Sequence, residues 1–72
     1  MTKKVRINVD RLLNRYDLTQ KELSELSGVR QASISQLSRG FVSRISIEHI
    51  ERIANALKID DISEIISIED DG

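Results

Sequence analysis

The apolar positions of this 72-residue chain change their period as the chain advances. In KKVRINV (residues 3–9), Val5, Ile7 and Val9 alternate with Lys4, Arg6 and Asn8, a period of two that suits a strand. Val9, Leu12, Leu13 and Tyr16 then recur at i, i+3, i+4 and i+7. With Asn8 as N-cap, they predict a first helix over about 9–16.

Thr19-Gln20-Lys21-Glu22 has the form of a capping box. The Thr hydroxyl takes the amide of Glu22, and the Glu carboxylate returns to the amide of Thr19. Leu18 and Leu23 fall at N′ and N4, the two ends of a hydrophobic staple. A second helix over 20–27 follows, with Leu23 and Leu26 on its buried side and Gly28 as a left-handed terminator. The third helix, about 30–38, starts almost at once, with Val29 and Ile34 as staple, Ile34 and Leu37 inward and Gly40 closing it. Residues 41–45, FVSRI, read as a loop. Ser46 caps a fourth helix in which Ile47, Ile50, Ile53, Ala54 and Leu57 recur at helical spacing. Asp61 and Glu64 suggest one more capping box, opening a short fifth helix over about 62–66. Beyond it, Ile66 and Ile68 alternate with Ser67 and Glu69 before a tail, Glu69 to Gly72, that is expected to fray.

The expected fold is all-α, a compact five-helix helix-turn-helix bundle filling one domain. The two alternating end segments could add a small strand pair, joined within the chain or between two chains, since a lone strand is not stable. The alternative is that Val5 and Ile7 pack on the fifth helix without strand hydrogen bonds.

Composition narrows the chemistry. A chain this short buries only about 60% of its unfolded surface, so several elements must feed one core. It has no cysteine and one histidine, so neither disulfides nor a thiolate or zinc site can supply stability, and no cofactor is implied. Tyr16 and Phe41 are the only aromatics, which leaves the core to Leu and Ile. No apolar run approaches the roughly 20 residues of a membrane span, and the N-terminus lacks a signal-peptide pattern. A soluble, cytoplasmic protein without a membrane partner is expected. Nothing suggests an enzyme: there is no paired-carboxylate pocket, no nucleophile with a partner histidine and no Gly-rich phosphate loop.

The formal net charge of −1 conceals a division. Residues 1–47 hold nine Lys/Arg against four acids, and residues 48–72 hold two against eight. No acid lies between Val29 and Ile47. The sequence thus suggests a basic pole and an acidic pole on one small body.

The third helix carries the chemistry. With Ile34 and Leu37 inward, its other side shows Ala32, Ser35, Gln36 and Arg39, flanked by Gln31 and Ser33. A solvent-facing helix ordinarily collects long charged residues. Small groups instead allow close approach to another surface, and an amide both donates and accepts. Gln can bond adenine N6/N7 bidentately, and Ala can touch a thymine methyl, as a helix in the DNA major groove requires.

The segment LTQKELSELSGV, followed by a polar helix, I-S-x-L and R-G, resembles the helix-turn-helix of the phage repressor and Cro family of DNA-binding domains. SIEHIERIANAL resembles that family's fourth helix and DISEII its fifth, so the similarity spans about residues 9–66. The end segments, KVRINV and IISIED, resemble those of a subset of compact bacterial regulators. The resemblance implies a five-helix fold and a two-fold homodimer on double-stranded DNA carrying a short inverted repeat. It places Gln31, Ala32 and Gln36 at base-reading positions, and Gln20 on a phosphate at the start of the second helix. Ser33, Ser35, Arg39 and Arg44 would meet the backbone. Arg30 stands where the family usually has a capping Ser or Thr, and could instead supply a cation at the groove edge.

The function expected is a sequence-specific transcriptional regulator, a repressor by steric blockage. Two alternatives compete with it. One is the DNA-binding antitoxin of a toxin–antitoxin pair, its acidic pole docking a basic toxin. The other is a protein-interaction module on the same fold, using Phe41, Val42 and Ile45 toward a protein partner.

Overall fold

Four α-helices and one two-stranded sheet organise residues 2–70, the part of the chain that this computed structural model describes. In chain order they are β1 (Lys3–Ile7), α1 (Val9–Arg15), α2 (Gln20–Ser27), α3 (Gln31–Leu37), α4 (Ile47–Leu57) and β2 (Ile66–Asp70). A single 3-10 turn, Ile62–Glu64, precedes β2.

The all-α, five-helix expectation is corrected here. The two chain ends pair as antiparallel strands, from Lys3 opposite Asp70 to Ile7 opposite Ile66. The segment read as a fifth helix stops after one turn. The Asp61 carboxylate accepts from the Ser63 amide at 2.9 Å and closes that turn. Ile62, Ile65, Ile66 and Ile68 fit a helical and an alternating period alike, and one turn of helix is a costly nucleus. Pairing with β1 supplies ladder hydrogen bonds and sets Ile66 beside the buried Ile7. Glu69 and Asp70, expected to fray, belong to β2, whereas Asp71 and Gly72 lie outside the described residues.

Helix starts follow local chemistry. Both halves of the Thr19 capping box are present, with Glu22 N–H to Thr19 Oγ1 at 3.1 Å and Thr19 N–H to Glu22 Oε1 at 2.9 Å. Ser46 accepts the His49 amide at 3.4 Å. Asn8 departs from its expected role. Its side chain makes no cap bond to α1; it accepts from Arg6 Nη1 at 2.7 Å and donates to Ser67 Oγ at 3.1 Å. Buried at the sheet's root, it joins both strands to α1.

The core gathers Ile7, Val9, Leu12, Leu23, Val29, Ile34, Leu37, Ile50, Ile53, Ile59 and Ile65. Leu26, expected inside, is 58% exposed, and Ile47 is exposed as well. Side-chain apolarity alone did not fix which face of these short helices turns inward.

Candidate nucleic-acid interface

The turn between α2 and α3 is tied from three sides. Gly28 takes the left-handed conformation (φ 76°), and its amide donates to Ser24 O at 2.9 Å. Ser24 Oγ donates to the Val29 carbonyl, and Ser27 Oγ accepts the Val29 amide at 3.2 Å. From α4, Arg52 Nη1 donates to the Gly28 carbonyl at 3.2 Å while Nη2 meets Glu48 Oε2 at 3.2 Å. With Val29, Ile34 and Leu37 buried, α3 has one face fixed in the core. Its rotation about its own axis is thereby set.

That rotation leaves Gln31, Ala32, Ser35 and Gln36 exposed together on the outer side, with Ser33 half-buried on its shoulder. Arg30 occupies the N-cap position, exposed, and its side chain makes no cap bond. Its carbonyl accepts the Ser33 and Ile34 amides, each at 3.0 Å, so the helix begins on backbone bonds alone. Gln20, half-buried in the first turn of α2, lies apart from the residues lining the concavities described next.

Gln36, Val42 and Arg44 border two adjoining concavities. One, of about 240 Å³, is lined by Ser33, Gln36, Arg44, Ser46 and His49 over a floor of Leu37, Val42 and Ile45. The other, of about 310 Å³, is lined by Gln36, Arg39, Phe41, Val42, Ser43 and Arg44. The structure thus brings Ser33, Gln36, Arg39 and Arg44 together. It also adds Ser43, Ser46 and His49, which sequence reasoning did not place at this face. Their only signal was position, in the acid-free stretch after α3 and in the first turn of α4.

Folding neutralises part of the charge division. Lys3 pairs with Asp70 at 2.6 Å, Arg11 with Glu69 at 3.5 Å and Arg15 with Glu64 at 2.9 Å. Arg6 takes Asp10, with Nη2 to Oδ2 at 2.9 Å, and this hydrogen bond holds the Asp10 carboxyl below the usual carboxylate range. The acidic C-terminal segment is therefore knitted to the N-terminal cations. Among the described residues, Lys21, Arg30, Arg39, Arg44 and Lys58 enter none of these ion pairs; the three arginines flank α3, Lys21 lies in α2 and Lys58 closes α4. Three of the five, Arg30, Arg39 and Arg44, thus stand at the two ends of α3.

Such a face offers neutral donors and acceptors on a slender helix, framed by unpaired cations and free of carboxylates. Comparison with curated proteins and with solved structures found no match. The family model of the Cro/C1-type helix-turn-helix DNA-binding domain matches residues 8–71, nearly the whole folded body, and the chain belongs to that family.

Proposed function

We propose that this protein is a sequence-specific transcriptional regulator that binds an inverted repeat as a homodimer and represses by occupying the site. In this reading α3 enters the major groove, and Gln31, Ala32 and Gln36 read base edges. Gln20, Arg30, Ser33, Ser35, Arg39 and Arg44 hold the backbone. Two copies of α3 would lie about 34 Å apart, one turn of DNA.

The observation that carries the proposal is the distribution of cations after ion pairing. Arg30, Arg39 and Arg44 frame a carboxylate-free helix face, which suits a polyanion better than an apolar protein partner. Glu64, Glu69 and Asp70 are drawn to Arg15, Arg11 and Lys3, whereas Glu51, Asp60 and Asp61 stay exposed, so a DNA-binding antitoxin whose acidic end docks a basic partner is the second reading. Val42 and Ile45 are half-buried against the core, and the apolar surface beside Phe41 is that of Val5 and Val42, bordered by Lys3 and Lys4.

The test is selection of bound duplexes from a random pool at fixed salt, followed by titration of the selected site. Gln31→Ala and Gln36→Ala are expected to flatten base preference. Arg39→Ala is expected to weaken all sequences alike and lower the salt slope by about 0.9. A selected site bound equally well by all three variants would remove α3 from the interface.

A further inference from the structure

We propose that His49 makes DNA binding by this protein proton-linked, its imidazolium adding one backbone phosphate contact. The proposal rests on the reading of α3 as the helix in the groove. An α-helix with its side chains is about 10–12 Å across and the major groove about 12 Å wide. A helix seated there has phosphates against both shoulders.

The shoulder facing α4 is the concavity lined by Ser33, Gln36, Arg44, Ser46 and His49. With Gln36 turned to a base edge, a phosphate bordering the groove settles between the Ser33 hydroxyl, Arg44 and the imidazole. The charged surroundings of His49 favour an anion. From α3 come Ser33, Gln36 and Leu37, none titratable; from the preceding loop comes Arg44. On α4 itself, Glu48 does not line the concavity and is held by Arg52 at 3.2 Å. Arg39 lines the adjoining concavity across Gln36. No carboxylate enters either one.

Imidazole is the side chain that changes charge in neutral solution, and this chain has one histidine. Neutral, His49 offers a phosphate a single hydrogen bond at most. Protonated, it becomes a cation that displaces a counterion from the DNA. Its backbone amide is already tied to Ser46 Oγ at 3.4 Å, so the ring stands on a fixed base.

The experiment uses the full chain and a duplex selected by it, with affinity measured against salt at pH 5.5 and pH 8.5. The wild type is expected to bind roughly tenfold tighter at pH 5.5 at low salt. Its salt slope should then be steeper by about 0.9. His49→Gln, uncharged throughout, is expected to show one slope at both pH values, equal to that of the wild type at pH 8.5. Proton NMR of the imidazole in the wild type should show its titration moving to higher pH when the duplex is added. A wild-type slope indifferent to pH, or an imidazole titration unmoved by DNA, overturns the role of His49 and leaves the major-groove reading standing. Failure of the wild type to select any duplex at either pH overturns both.

Discussion

The amide of Ile7, in β1, donates to the carbonyl of Gly40, just beyond α3, at 2.6 Å. This bond leaves β1 on the edge away from β2 and fastens the sheet to the end of the helix that would face DNA. Arg6 reinforces it from the side, since its guanidinium lies under Gly40 while binding Asp10 through both oxygens at 2.9 and 3.1 Å. Arg6→Ala would remove the ion pair of Asp10 and leave Asn8 Oδ1 only the longer bond from Arg11, at a cost of about 2 kcal/mol. Urea unfolding measures that loss. Hydrogen exchange should show the amides of Ser38 to Gly40 opening more readily than those of α2.

Gly40 itself has φ 90°, and a Cβ built there would lie 3.4 Å from Arg6 Nη2. Gly40→Ala is therefore expected to lose about 1–2 kcal/mol from the left-handed backbone alone. Thermal unfolding of that variant beside Ser38→Ala, a control on the same turn, separates the backbone effect from general sensitivity of the segment.

Acid should weaken the fold in a defined window. Asp10 is held below its ordinary range by the hydrogen bond from Arg6, and Asp61 by the amide and hydroxyl of Ser63. A carboxylate depressed in the folded state contributes stability above its unfolded value, near 3.9, and loses it as pH falls through the folded value. Stability should thus be flat from about pH 5 upward with respect to these groups and fall below about pH 4. In Asp10→Asn that acid-induced decline should be shallower, as equilibrium unfolding at stepped pH would show.

Leu23 and Leu26 are one helical turn apart and chemically identical, yet the first is fully buried and the second 58% exposed. Leu23→Ala is expected to cost about 2–5 kcal/mol and Leu26→Ala well under 1 kcal/mol. Denaturation midpoints of the two variants test that difference directly.

The cap of α2 supplies a smaller and independent effect. Thr19→Ala removes the acceptor for the Glu22 amide and should lower stability by about 1 kcal/mol. Thr19→Ser should recover most of it, which distinguishes the cap bond from packing of the Thr methyl.

What was legible in the sequence was local chemistry. Thr19 with Glu22, Gly28 and Ser46 each announced a helix boundary through groups a few residues apart, and the boundaries stand where these residues put them. The inward residues of α3 followed from Ile34 and Leu37, and Gln31, Ala32, Ser35 and Gln36 are exposed away from them, as that spacing predicts. What was not legible depended on distant segments. Asn8 has the chemistry of an N-cap, but Arg6 and Ser67 compete for its side chain, and Ser67 is 59 residues away. Leu26 carries no sign of the angle at which α2 crosses its neighbours. The charge division along the chain was real, but its extent was not legible, because Lys3, Arg11 and Arg15 meet acids 49 to 67 residues away. His49 reads from the sequence only as a surface or half-buried residue of the fourth helix, because its neighbours around the concavity come from α3 and the loop before α4.

The pairing of β1 with β2 joins residues as far as 67 positions apart, whereas the helices join near neighbours in the chain. Contacts of such long range carry the largest loop-closure cost in the fold and are expected to form late in folding. They are also natural candidates to open first when the native state fluctuates. Because Ile7 holds Gly40, each such opening frees the far end of α3 while its start stays fixed through Val29 and the Gly28 turn. The helix is thus held by a sequence-local joint at one end and a long-range latch at the other, and hydrogen exchange is expected to show the latch end opening first.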